Sequence, residues 1–264
     1  MPDARPPVAA VPVAEFSTAG VDLASQDSRT AMAEIRWGAG SAVLQAVRMG
    51  VGNDAIVEAA GRVAVIGVDC PLGWPAPFLD LLIAVRADVV PPNTARDDAA
   101  KQALAFRRTD VFVRKLTGRW PLSVSTGTLA YPAMRCAGLL GRLRVDGHPV
   151  RRSGIDSRVA EVYPAAALRT WHQSTAGYKA DLTKRHLLVA SLVAGTPWLD
   201  WSSWEDDCIR EHDVLDAVVC ALVAGAVLLG RTALPGPDDV ALADEEGWIH
   251  LPDSTFLNDP FRAG

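Results

Sequence analysis

Hydrophobic and polar positions along the chain predict strands first and helices later. Residues 14–24 (AEFSTAGVDLA) read as a strand that ends at the carboxylate of Asp22. Thr30 to Trp37 alternates as a second strand, joined to the first through Ser28 and Arg29. Ser41 to Met49 is a third. Asp54 to Ala60 predicts a short helix capped by Asn53. Arg62 to Val68 (RVAVIGV) is a continuous, β-branched run, the pattern of a buried parallel strand. Pro71, Pro75 and Pro77 interrupt PLGWPAPF and predict a rigid loop after it.

Further on, residues 93–117 read as largely helical, as do Ala165 to His172 and Leu182 to Ala194. Trp204 to Gly230 reads as helix with a break near Glu211. Val159 to Tyr163 predicts a strand stopped by Pro164, and Gly247 to Leu251 a small edge strand. This order predicts an α/β fold, a mixed sheet covered by helices. Residues 70–155 are long for one crossover and predict a helical insertion. Residues 1–15 are Pro-rich, lack the apolar core of a signal peptide, and read as a disordered leader. Residues 16–253 then form a single domain and 254–264 a tail.

Composition changes this picture little: 49% of the 264 residues are hydrophobic and 22% charged, as in globular proteins. The net charge of −5 argues against coating duplex DNA by charge alone. It hides a basic middle, with Lys101, Arg107, Arg108, Arg114, Lys115 and Arg119 close together in sequence. Such a run either faces an anionic substrate or is a solvated face. Cys70, Cys136, Cys208 and Cys220 form no CxxC pair, which predicts a reduced, cytoplasmic protein. The apolar run Ala217 to Leu229 is shorter than the roughly 20 residues of a membrane span, so no membrane association is expected.

The candidate chemistry lies in carboxylates. Asp22 and Asp69 each end an apolar strand, where ligands of α/β sheets gather, although such residues also serve as turn formers and caps. In His212-Asp213-Val214-Leu215-Asp216 the i, i+3 spacing puts two carboxylates on one helical face. Capping is the simpler role, but Asp216 directly precedes an apolar run, where an unpaired charge is costly. A metal would relieve that cost. Glu161 in EVYP is a further candidate, either a ligand or the partner of an arginine. Hard cations such as Mg²⁺ or Mn²⁺ suit oxygen donors of this kind.

Arg107, Arg108 and Asp110 either grip a phosphate or form a structural pair. Arg135 and Lys179 are further phosphate-binding candidates. Ser123, Ser125 and Thr126 fit an ordinary polar loop. His212 is a candidate proton carrier, whereas His148, His172 and His186 lack metal spacing. Trp74, Trp198, Trp201 and Trp204 either stack bases or pack the core. No lysine-bearing phosphate loop is present.

Taken in order, GVDLA, DCPLGWP, RRTD, PAMR, EVYPAAAL, GYK, HDVLDA and EGWIHLP resemble domain-of-unknown-function family 429, predicted nucleases of RNase H-like fold. HDVLDAVVCAL is also similar to the closing helix of the Holliday-junction resolvase RuvC. The resemblance, over roughly residues 17–252, implies Asp22 as the central metal ligand, Asp69 beside it, and Asp216 with Asp213 completing the site. Glu161 joins from another strand. Asp69 stands where RuvC uses Glu, and the insertion is larger. The implied activity is metal-dependent hydrolysis of nucleic acid. A non-catalytic nucleic-acid-binding or regulatory module, or an ATP-dependent phosphotransferase of the same superfold, are the alternatives. The glycine turns of the latter are missing from LASQDS after Asp22.

Overall fold

A computed structural model describes residues 15–262. The expected leader therefore lies outside the described residues, except for Glu15. Six strands form one mixed sheet in the order β5-β4-β1-β2-β3-β6. They are β1 (Phe16–Asp22), β2 (Ala31–Trp37), β3 (Ala42–Met49), β4 (Val65–Asp69), β5 (Val159–Glu161) and β6 (Leu199–Asp200). The meander β1-β2-β3 is antiparallel; β4, β5 and β6 join in parallel. This is the mixed α/β sheet that the sequence pattern predicts, in an order consistent with the RNase H-like fold that the resemblance implies. Gly247 to Leu251 contributes only a bridge, Ile249 to Glu161, rather than a strand.

One face of the sheet carries α6 (Pro164–Thr170), α7 (Leu182–Gly195), α8 (Glu205–Arg210) and the long α9 (His212–Leu228). The expected break falls at Glu211, in extended conformation between α8 and α9. The other face is covered by α1 (Asn53–Ala60) and by the longest helix of the insertion.

Helix α9 is buried from Asp213 to Ala226. It lies close against the sheet because glycines sit beneath it. A Cβ on Gly20 would come within 2.0 Å of the Ala217 carbonyl oxygen, and one on Gly67 within 2.3 Å of that of Cys220. A buried relay fixes the helix in place: Trp37 Nε1 donates to Thr18 Oγ1, and Thr18 Oγ1 donates to the Ala221 carbonyl, each at 2.9 Å. Satisfying these groups internally removes the cost of burying them.

The insertion between β4 and β5 holds α2 (Ala76–Ala87), α3 (Asp98–Ala105), α4 (Arg108–Thr117) and α5 (Ala130–Val145). The rigid loop expected over Pro71–Phe78 is shorter: α2 begins at Ala76, because a proline in a first helical turn gives up an N–H that has no helical partner. The helical stretch 93–117 is split at Phe106 and Arg107. A last helix, α10 (Val240–Glu246), ties the insertion down. The Glu246 carboxylate accepts from the Ala76 and Arg108 amides, the first residues of α2 and α4.

The segment after residue 253 is more than a tail. Phe256 and Leu257 are buried against the core, and Arg231 holds Asp253 and the Asp259 and Arg262 carbonyls. Trp37 stacks on Trp198, and Phe256 packs beside both. Trp198 and Trp201 thus serve packing rather than base stacking.

Candidate metal centre

The sheet register brings the two strand-ending aspartates together. Asp22 and Asp69 are direct partners across the parallel β1-β4 pair. Successive side chains alternate between faces, so Asp22 shares the face of Gly20, and Asp69 that of Gly67. Both therefore point toward α9. The close approach over the glycines sets the start of α9 beside these strand ends, with Asp213 in its first turn and Asp216 just after it.

Asp216 is fully buried. Tyr178 Oη donates to its Oδ1 at 2.7 Å, and Lys179 Nζ lies 2.6 Å from its Oδ2. His212 Nδ1 is 2.5 Å from Asp213 Oδ1, and Arg29 Nε is 3.8 Å from Asp213 Oδ2. Donor atoms of Asp22, His212 and Asp213 all lie within 4.8 Å of one another, a grouping that could hold a metal ion. It differs from the expected trio of Asp22, Asp69 and Asp216 in bringing in His212 and Asp213.

Electrostatics mark the cluster as short of positive charge. Burial, with Asp69 and Asp216 close by, pushes Asp22 well above the usual carboxylate range, and Lys179 only partly offsets this. Burial and Asp216 push Asp69 up to about 7. Asp213 moves the other way: burial opposes its charge, but His212 and Arg29 outweigh it and hold the carboxyl low. Four carboxylates thus face Lys179 and the largely exposed Arg29. Crowded acids with this little compensation, two of which bring oxygen donors together beside His212, fit a bound cation.

A family model described as a protein of unknown function, DUF429, matches residues 20–240. The chain belongs to that family. No curated protein and no solved structure matches it.

The other motifs of this DUF429 chain take different places. Glu161 pairs in register with Val68, one residue short of Asp69, and so points to the opposite face. It accepts from the Leu72 amide and, bidentately, from Arg107 at 2.7 and 2.8 Å. Burial raises its pKa against the pull of Arg107. Arg107 also binds both oxygens of Asp110 and the Glu246 carbonyl, so all five of its N–H donors are used. It is the structural partner of Asp110 and Glu161 and has no donor left for a phosphate. Arg108 forms an exposed pair with Asp239.

Arg135 is saturated too. It donates to Asn53 Oδ1, Thr30 Oγ1 and the Ala24 and Val51 carbonyls, and pairs with Asp27 at 2.7 Å. It clamps the segment after β1 to the start of α1. Ser123 and Ser125 donate to carbonyls at the end of α3, as an ordinary loop does. Lys179 is the one phosphate-binding candidate found beside the carboxylates.

Nothing local in GYK marks Tyr178, next to Lys179, as the hydrogen-bond partner of Asp216 across 38 residues. A cavity of about 410 Å³ opens beside Asp22, Asp69 and Lys179. Among the described residues, no helix is long and apolar enough to cross a membrane.

Proposed function

We propose that this protein is a divalent-metal-dependent nuclease that hydrolyses phosphodiester bonds. The observation that carries the reading is the in-register pair Asp22 and Asp69, completed by Asp213 and Asp216 from the start of α9. Carboxylate oxygens are hard donors, which favours Mg²⁺ or Mn²⁺. Asp22, Asp69 and Asp213 would hold the cation, with Asp216 and His212 adjoining. When bound, a divalent cation supplies Lewis acidity, acidifying water and stabilising charge on a leaving oxygen.

The chain's own groups do the rest. Lys179, tethered to Asp216, offers its ammonium to a phosphate oxygen. Tyr178 orients Asp216 through its hydroxyl. His212, next to Asp213, is placed to take or give a proton at Nε2. Asp22 and Asp69, on rigid strand ends, set the direction of attack.

The test is a panel of labelled DNA and RNA, single-stranded, duplex and branched, with Mg²⁺, Mn²⁺ or EDTA. Metal-dependent cutting that is lost in Asp22→Asn supports the nuclease. Metal binding by a folded protein with no cutting of any substrate refutes it and turns attention to a nucleic-acid-binding module or a phosphotransferase.

A further inference from the structure

The cavity beside the carboxylates is two-sided. Asp22, Asp69 and Lys179 form one wall. The rest is largely apolar, with Leu23, Leu122, Leu129, Val162 and Ile249, and includes Tyr163 and the Arg107–Glu161 pair. Leu122 and Leu129 come from the insertion, in the segment between α4 and α5, so the insertion covers this end of the sheet. Leu122 is 62% exposed, an apolar side chain at the surface with no core to fill.

The charged groups among these are already committed. Arg107 has used every donor, and Glu161 is held by Arg107 and the Leu72 amide. A ligand part seated here is therefore held chiefly by packing, with Tyr163 the one side-chain hydroxyl of the lining. At about 410 Å³ the space suits a small molecule or one unit of a polymer. A flat, apolar-faced group attached to a phosphate meets both walls at once, and a nucleobase is such a group. A base inside a duplex cannot reach the cavity without being unpaired and unstacked.

Resting on the nuclease reading, we infer that the site acts on single-stranded nucleic acid, with one unpaired base seated in this cavity and the adjoining phosphodiester on the carboxylates. Because the base is held chiefly by packing, cleavage shows little base preference.

The experiment compares one oligonucleotide, single-stranded and fully paired, with Mn²⁺, beside bis(p-nitrophenyl) phosphate as a diester without a base. The single strand is expected to be cut at least tenfold faster than the duplex. Leu129→Trp, which fills the cavity, is expected to lower the ratio of single-strand cleavage to bis(p-nitrophenyl) phosphate hydrolysis at least tenfold. That ratio does not depend on how much of the variant folds. Equal cutting of duplex and single strand, or an unchanged ratio, overturns the inference and leaves the nuclease standing. If the wild type hydrolyses none of the three, the nuclease reading fails, and the cavity is tested by binding of thymidine 5′-monophosphate with Ca²⁺. Binding that Leu129→Trp abolishes supports the base site; no binding to the wild type overturns it.

Discussion

Asp22 and Asp69 stand directly opposite each other at the carboxyl ends of neighbouring parallel strands, on the face that α9 covers. Two half-buried carboxylates in this relation oppose each other's charge, and the fold keeps them only at a cost in stability.

That cost depends on pH. With Asp69 pushed up to about 7, the folded, metal-free protein holds a proton that the unfolded chain, with an ordinary carboxyl near 4, has released. Stability therefore falls as pH rises from about 4 to about 7, by at most about 4 kcal/mol. Asp22 shifts in the same direction. Asp69→Asn is expected to lose at least about a hundredfold in cleavage. In EDTA it is expected to be more stable than the wild type at pH 8, with a smaller gain at pH 5. Urea titrations at the two pH values check this; no gain at pH 8 contradicts the electrostatic account.

Metal should reverse the same penalty. Mn²⁺ or Mg²⁺ is expected to raise Tm, and more at pH 8 than at pH 5, because protons compete for the carboxylates. Calorimetric titration and thermal melts read this directly. Asp213→Asn should weaken the metal-induced shift.

Arg107 offers a contrast. Arg107→Met leaves Asp110 and Glu161 buried without their cation, and is expected to cost about 3–5 kcal/mol. A phosphate-gripping arginine would instead leave stability alone and raise KM. Chemical denaturation beside steady-state kinetics separates the two outcomes.

Tyr178→Phe removes a hydrogen bond to a buried carboxylate, worth about 1.5–3 kcal/mol. It is also expected to lower metal affinity about 10–100-fold, as loss of groups that orient ligands does. Unchanged metal affinity in this variant would detach Tyr178 from the metal site.

The strand pattern, the break at Glu211 and the facing of Asp213 and Asp216 were legible in the sequence because they depend on local periodicity. The pairing of Asp22 with Asp69 was implied only by the resemblance to family 429, because two strands with similar GVD endings do not say which strand lies beside which. What stayed hidden depends on distant partners. Arg107 meets Glu161 across 54 residues and Arg135 meets Thr30 across 105, so nothing local distinguishes a saturated guanidinium from a free one. Glu161 was ambiguous for a simpler reason. A three-residue strand does not reveal its register, and a shift of one residue changes the face.

The relay from Trp37 through Thr18 to the Ala221 carbonyl acts as a key in a keyway. A helix turns about 100° per residue, so a slip of one residue along the sheet would swing Asp213 and Asp216 away from the strand ends. With the carbonyl of Ala221 indexed to Thr18, and the glycines allowing no thicker contact, α9 has a single angular setting. Substitutions at Thr18 or Trp37 would therefore loosen the aim of carboxylates more than a turn away, at the start of the helix.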